Sequence, residues 1–418
     1  MRRAIALACF SASMWACRPA PPSAPDVASS GDSAAADVQA MDVAAMDASA
    51  CIAAATAALS SVELELRLWD GEPAPRVEFA WPVAPECGAL VSSAPWLEVT
   101  GTNATRTAQV DTSALRTGIH RAAIELRASD GSVLASKSAT LRLFRPPATR
   151  DDRRVMVIGY DGARPDAVEA ARTPVLDFLR RRAVQSFDAR TQLAAQTVSA
   201  PGWMSTFTGV DPSRHRVVSN GEYAMRDSAH RTFVARAVDA GHRAVVSTAW
   251  EEVTTQIVET SLGATSVERN FGFDSFAARW LAQRARTGVE RLYVQHLNAP
   301  DAAGHSTGFS LDNPRYIEAI ESCDQNLGVL IDGVLARATV AREDWLFVLT
   351  TDHGGRGTTH GPLDDDNRRI WFVASGPSIT PATIAAGASH MDTAPTVLDW
   401  LGVAIDSSWG LQGVSRAR

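Results

Sequence analysis

The stretch Val155-Met-Val-Ile-Gly-Tyr-Asp161-Gly162 decides the fold: it is an apolar run without alternation that stops on a carboxylate. A run that is apolar at every position suits a strand buried on both faces, which puts it at the centre of a parallel α/β sheet. Ligands of such sheets sit just beyond the carboxyl ends of the strands. Asp161 therefore stands where chemistry happens, provided other strands deliver partners to the same rim. Taken alone, an Asp after a strand is better explained as a turn former or helix cap.

Similar runs recur downstream, at 243–247, 291–296, 345–351 and 369–374, with helical patterns at 173–180 (Pro174 at the start), 274–286 and 313–336. Alternating strand and helix predicts a doubly wound α/β domain over 148–418. Two of these strands also end on metal-ligand chemistry. One runs into Asp301-Ala-Ala-Gly-His305, the other into Asp352-His353-Gly, and His360 follows in Gly357-Thr-Thr-His-Gly361. Carboxylate and imidazole together suit Zn²⁺, and two such ions form a clamp for phosphoryl displacement. Each histidine alone reads as a surface-loop residue. Four ligand segments at strand ends make coincidence a poor account. A hydroxyl is supplied by Thr197-Val-Ser199-Ala-Pro201, where Ser199 stands two residues before a Pro that can begin a helix. An ordinary Ser N-cap is a compatible reading.

On the N-terminal side, Met1-Arg-Arg followed by an apolar stretch too short to span a bilayer reads as an export signal, 1–17. It ends on Met14-Trp-Ala-Cys17, which resembles a bacterial lipoprotein cleavage site. A lipid anchor at Cys17 is expected, with plain secretion as the alternative; either way the chain is exported to the cell envelope or beyond. Residues 18–50, rich in Ala, Ser, Pro and Asp, read as a flexible tether. From 51 to 147, alternating runs between turn residues predict a small all-β, antiparallel sandwich. An oxidising compartment permits a bridge between Cys51 and Cys87, which flank one small region, and leaves Cys323 as a lone buried thiol. A net charge of -7 over 418 residues, with no basic tract, argues against nucleic acid as a partner.

The order Asp161; Ser199-Ala-Pro with Thr208-Gly209, Pro212 and His215; Asp301-x-x-Gly-His305; Asp352-His353-Gly; His360-Gly resembles the alkaline phosphatase superfamily, in its type I phosphodiesterase and nucleotide pyrophosphatase branch, over 153–413. The resemblance implies that Asp161, Ser199, Asp352 and His353 hold one metal and Asp301, His305 and His360 the other. It makes two Zn²⁺ the expected cofactors, other divalent metals being alternatives. Ser199 takes the nucleophile position, where the family usually has Thr, and Asn220 takes the phosphate-binding position. The implied reaction is hydrolysis of a small-molecule phosphate ester, a diester or pyrophosphate before a monoester, through a covalent phospho-enzyme. Sulfatases share the fold but follow the Ser199 position with Pro and then Arg, and Trp203 stands in the place of that Arg. The usual His-Gly is His215-Arg216 here, which bears on the loop that carries Asn220. Segment 96–126 resembles, loosely, the immunoglobulin-like BACON modules. A competing expectation is a surface binding protein whose hydrolase domain has degenerated, but all seven metal-site positions hold competent residues. His390 is left outside the metal shell, and Arg164 and Arg356, beside ligands, are candidates for substrate contact.

Overall fold

Two groups of strands make up the framework of this computed structural model, which describes residues 48–418 apart from 102–103, 192, 260–265, 271 and 418. The expected leader, Cys17 and nearly all of the expected tether lie outside the described residues. The first group comprises β1 (Glu65–Trp69), β2 (Arg76–Ala80), β3 (Ala89–Ser92), β4 (Leu97–Thr100), β5 (Thr105–Val110), β6 (Gly118–Arg127) and β7 (Val133–Phe144). They form a four-stranded sheet ordered β1-β7-β6-β3 and a three-stranded sheet ordered β2-β5-β4. Phe79, Trp81, Trp96, Ile124 and Leu141 fill the core between them.

Two expectations are corrected here. The strands are not all antiparallel, because β1 runs parallel to β7. The chain at 48–50 does not belong to a tether, since Ala48–Ser60 is an α-helix. Its Ala-rich composition suits a helix better than a linker, and its buried residues Cys51, Ala55, Ala58 and Leu59 recur at helical spacing. The expected bridge forms: Cys51 and Cys87 are disulfide-bonded, and Cys323 is free and buried.

The second group is β8 (Arg153–Tyr160), β9 (Ala183–Arg190), β10 (Ala244–Thr248), β11 (Ser266–Asn270), β12 (Leu292–Leu297), β13 (Asp344–Thr350), β14 (Arg369–Ser375) and β15 (Ala382–Thr383). They make one sheet ordered β11-β10-β12-β8-β13-β14-β9-β15. Strand β8 lies between β12 and β13 and is parallel to both. Its side chains alternate between two layers: Met156, Ile158 and Tyr160 join the core under helices Asp274–Thr287 and Pro314–Leu335. Val155 and Val157 join the core under helices Ser199–Thr208 and Thr393–Trp400. Burial on both faces is what the unbroken apolar run required. β14 is antiparallel to both β13 and β9, so the sheet is mixed toward that edge.

The small sheets meet the helical layer on the large one at Trp69, whose indole stacks on Phe178 of the helix Pro174–Arg180 at 4.6 Å and whose Nε1 donates to the Phe178 carbonyl at 2.9 Å. Arg142 adds a two-pronged ion pair with Asp332, a geometry that fixes orientation as well as distance. No helix among the described residues is long and apolar enough to cross a membrane.

Candidate active site

The carboxyl ends of β8, β12 and β13 lie side by side, so the residues that follow them meet. Asp161 follows β8, Asp352 comes two residues after β13, and Asp301 lies in the helix Ala299–Thr307 that opens after β12. Asp161, Asp352 and His353 are fully buried. Ser199 begins the helix Ser199–Thr208, with Val198 as the cap residue, so it is not itself the N-cap. Its Oγ lies 3.3 Å from Asp161 Oδ1 and 3.3 Å from His353 Nε2. Two groups of potential ligand atoms converge within 4.8 Å: Asp161, Asp352 and His353, and Asp301, His353 and His360. His305 joins the second group, with Nε2 3.5 Å from Asp301 Oδ1.

The tautomers are set by what the opposite nitrogens touch. Nδ1 of His353, His305 and His360 faces the carbonyl oxygens of Gly354 (2.7 Å), Thr358 (3.0 Å) and Thr197 (2.9 Å). A carbonyl oxygen only accepts, so each Nδ1 carries the proton. All three Nε2 lone pairs therefore point inward, and those of His305 and His360 stand 2.9 Å apart. Bare nitrogens at that separation repel unless a cation lies between them. Burial lowers the His353 and His360 rings, the latter to about 3, and keeps them neutral. Asp301 Oδ1 and Asp352 Oδ2 are buried without a hydrogen-bond donor. This donor set, neutral imidazoles and carboxylate oxygens each held from behind, fits divalent metal ions such as zinc.

Two residues that sequence reasoning passed over complete the site. Asp161 Oδ2 accepts from Trp203 Nε1 at 2.8 Å and faces His296 Nε2 at 3.0 Å. His296 lies within β12 in register with Gly159. A Cβ on Gly159 would stand 2.2 Å from the Trp203 ring. Glycine there lets the indole lie against the strand and reach the carboxylate. A Cβ on Gly202 already stands within 2.9 Å of the Asp352 Cβ, so this helix could not approach the rim with a larger residue at that position. The usable signal in the sequence was a pair of polar residues, Gln295 and His296, in a strand otherwise apolar on both faces.

Electrostatics sort the carboxylates. Burial would raise Asp161, but the His296 hydrogen bond, the facing His353 ring and the Trp203 N–H hold it at about 2. Burial and the Asp161 charge push Asp301 up to about 8 and Asp352 well above the usual range.

Asn220 Oδ1 accepts from Ala200 N at 2.8 Å, which leaves its amide N–H₂ for a ligand. The loop that brings it there turns at Arg216, which takes the left-handed conformation (φ 62°) that glycine would adopt. Buried His215 holds the same loop, bonding Ser205 Oγ with one nitrogen and accepting from Val217 N with the other. His390 is buried beside the Asp352 backbone, outside both ligand groups. Arg164 is tied to Asp166 and the Gly355 carbonyl, and Arg356 is exposed, 3.9 Å from Asp366.

Two outcomes follow. Trp203→Phe removes one donor from Asp161 and should lower metal affinity or turnover by roughly 10- to 100-fold with the fold retained; wild-type values in a zinc titration and in kcat/KM would show the N–H to be dispensable. The second concerns metal-free protein. The folded state holds protons on Asp301 and Asp352 that the unfolded chain has already lost. Its stability should therefore fall by about 1–2 kcal/mol as pH rises from 7 to 8. The buried histidines, whose unfolded values lie near 6.5 and whose folded values are lowered, oppose this by only about 0.1 kcal/mol each across the window. Zinc should flatten the dependence, and a metal-free melting temperature that stays level from pH 7 to 8 would contradict the crowding of these carboxyls.

The family model for type I phosphodiesterase / nucleotide pyrophosphatase matches residues 155–368. Among solved structures, murine ectonucleotide pyrophosphatase / phosphodiesterase 5, in an inactive form in complex with AMP, aligns with a TM-score of 0.51 at 15% identity, covering 62% of this chain and 99% of that one. A 2-O GAG sulfatase aligns with a TM-score of 0.52 at 15% identity, covering 64% and 74%. A putative sulfatase from Bacteroides thetaiotaomicron gives 0.51 at 13% identity, again covering 64% and 74%. At these identities the structures show a shared fold. A search of curated proteins gave no match. The family model spans more than half of the chain and every strand end that carries a site residue, so the chain belongs to the type I phosphodiesterase / nucleotide pyrophosphatase family, a hydrolase of the phosphoester class on an alkaline-phosphatase-type fold.

Proposed function

We propose that the chain is an exported phosphodiesterase or nucleotide pyrophosphatase that works with two divalent ions, zinc foremost, and with Ser199 as nucleophile. The observation that carries this reading is the convergence of three bare Nε2 atoms and three carboxylates on one rim, with Ser199 Oγ 3.3 Å from members of that set. Asp161, Asp352 and His353 would hold one ion beside Ser199, and Asp301, His305 and His360 the other. When bound, such ions supply the positive charge that lowers the hydroxyl pKa and stabilises the phosphoryl oxygens.

The chain's own residues do the rest. Ser199 Oγ loses its proton to solvent, which returns one to the departing oxygen, and attacks phosphorus in line with that leaving oxygen. The bond from phosphorus to that oxygen breaks as the serine ester forms. Water then hydrolyses the ester and frees Ser199. The Asn220 amide N–H₂ donates to the equatorial oxygen as charge grows on it.

The match to the type I phosphodiesterase family favours a diester. Trp203, buried against Gly159, puts an indole where the sulfatase pattern has an arginine, which speaks against sulfate esters. The export reading, with the anchor at Cys17, rests on the sequence of the first 17 residues.

Ser199→Ala should reduce kcat/KM on bis(4-nitrophenyl) phosphate by about 1,000-fold or more while zinc content and melting temperature stay at wild-type values. Appreciable residual turnover by that variant would remove Ser199 from the mechanism.

A further inference from the structure

The seam between the small sheets and the helices on the large one carries a concentration of positive charge. Two adjoining cavities of about 420 and 550 Å³ lie along it and share Arg116 and Ala338 among their lining residues. Arg145 and Arg342 also line the first, Arg121, Arg286 and Arg337 the second, and neither has an aspartate or glutamate on its walls. Two of these arginines serve the fold. Arg145 binds Asp70 and the Thr112 carbonyl, and Arg337 binds Glu343 and the carbonyls of Ala285 and Gly288 at the end of the helix Asp274–Thr287. Arg116, Arg121, Arg286 and Arg342 are exposed, and their guanidinium groups have no hydrogen-bond or ion-pair partner among the described residues.

Their place in the fold is fixed by the sheet. The helix Asp274–Thr287 leads to the amino end of β12 and the helix Pro314–Leu335 to the amino end of β13, so Arg286 and Arg342 lie at the end of the sheet away from Asp301 and Asp352. The six residues of β12 and the seven of β13 put about 20 Å between the two ends. Arg243, exposed and also without a side-chain partner among the described residues, precedes β10 at the same end. Among the described acids at these strand ends, Asp344 is buried and Asp151 is exposed. Glu290, Glu343 and Asp152 are paired with Arg284, Arg337 and Arg154. A chain of net charge -7 therefore keeps unpaired cations at the end opposite its catalytic rim.

We propose that this arginine-lined seam docks on the phosphate head groups of an anionic lipid surface, and that docking there turns the catalytic rim away from the lipid. Guanidinium groups pair with phosphate oxygens through two parallel hydrogen bonds. The four unpaired arginines stand on four separate segments: the turn before β6, β6 itself, the end of the helix Asp274–Thr287 and the turn before β13. Spread in this way, they suit an array of singly charged head groups better than one compact polyanion. Neither cavity has a Phe, Tyr or Trp on its walls, so the stacking platform that a nucleic acid strand uses is missing. The attraction is local, since salt at physiological strength screens it beyond about 8 Å, and the acidic remainder of the chain does not cancel it at contact.

The test uses the full chain carrying Cys17→Ser, which no acyl chain can modify there, in sedimentation with vesicles of phosphatidylcholine alone or with about one third phosphatidylglycerol. At low ionic strength the mixed vesicles should be bound about 100-fold or more tightly than the neutral ones, and salt should weaken that preference. Each of Arg116→Gln, Arg121→Gln, Arg286→Gln and Arg342→Gln should weaken binding to the mixed vesicles by about 5-fold, and the four together should bring it to the level of the neutral ones. Turnover of soluble bis(4-nitrophenyl) phosphate should be the same for these variants as for the parent, and the same with or without mixed vesicles, because the rim stays clear. Equal binding to both vesicles, or a preference that survives all four substitutions, overturns the docking site. Binding of heparin, as a soluble polyanion, without binding of mixed vesicles also overturns it. Turnover that is lost on mixed vesicles overturns the orientation. The vesicle measurements do not depend on catalysis, so their failure leaves the phosphodiesterase reading standing.

Discussion

Three aspartates share one buried rim, and the rest of the site answers to that crowding. Like charges at such separations interact by several kcal/mol even at the effective dielectric of a protein. A folded chain can hold them together only by protonating some or by surrounding them with positive charge. Metal-free, the protein takes the first course: Asp301 is pushed up to about 8 and Asp352 well above the usual range, while Asp161 alone stays low at about 2. Three imidazoles with their free nitrogens turned inward equip it for the second.

The asymmetry among the carboxylates is built by neighbours. Trp203 and His296 occupy one oxygen of Asp161, so that its other oxygen faces Ser199. That clamp requires a bare backbone at Gly159, and the helix that carries Ser199 requires another at Gly202. Arg216 accepts the left-handed conformation so that the loop can present Asn220 to the start of the same helix. The left-handed Arg216, the close approaches at Gly159 and Gly202 and the buried carboxylates meet at this rim, and the sheet behind it packs an apolar core on each face.

Much of this was legible in the sequence, for a physical reason. Strands β8, β12, β13 and β14 are apolar nearly throughout because both faces are covered, and that pattern stands out without any alignment. Their terminal Asp and His residues were legible with them. By contrast, β9, with Gln185, Ser186 and Asp188 among its apolar residues, carries no such pattern. The helix Ala48–Ser60 was hidden because alanine marks a helix by propensity and hardly by periodicity. His296 and Trp203 were missed for another reason: their roles lie in what they touch across strands, and a residue inside an element gives no local sign of its partner. Arg216 looked like a departure from the family pattern, yet the backbone keeps the glycine-like conformation and pays in strain.

The most direct measurement is anomalous X-ray diffraction at the zinc edge on crystals grown with zinc. Two peaks are expected, one among Asp161, Asp352, His353 and Ser199 Oγ, the other among Asp301, His305 and His360. A single peak, or none at this rim, would contradict a two-metal hydrolase.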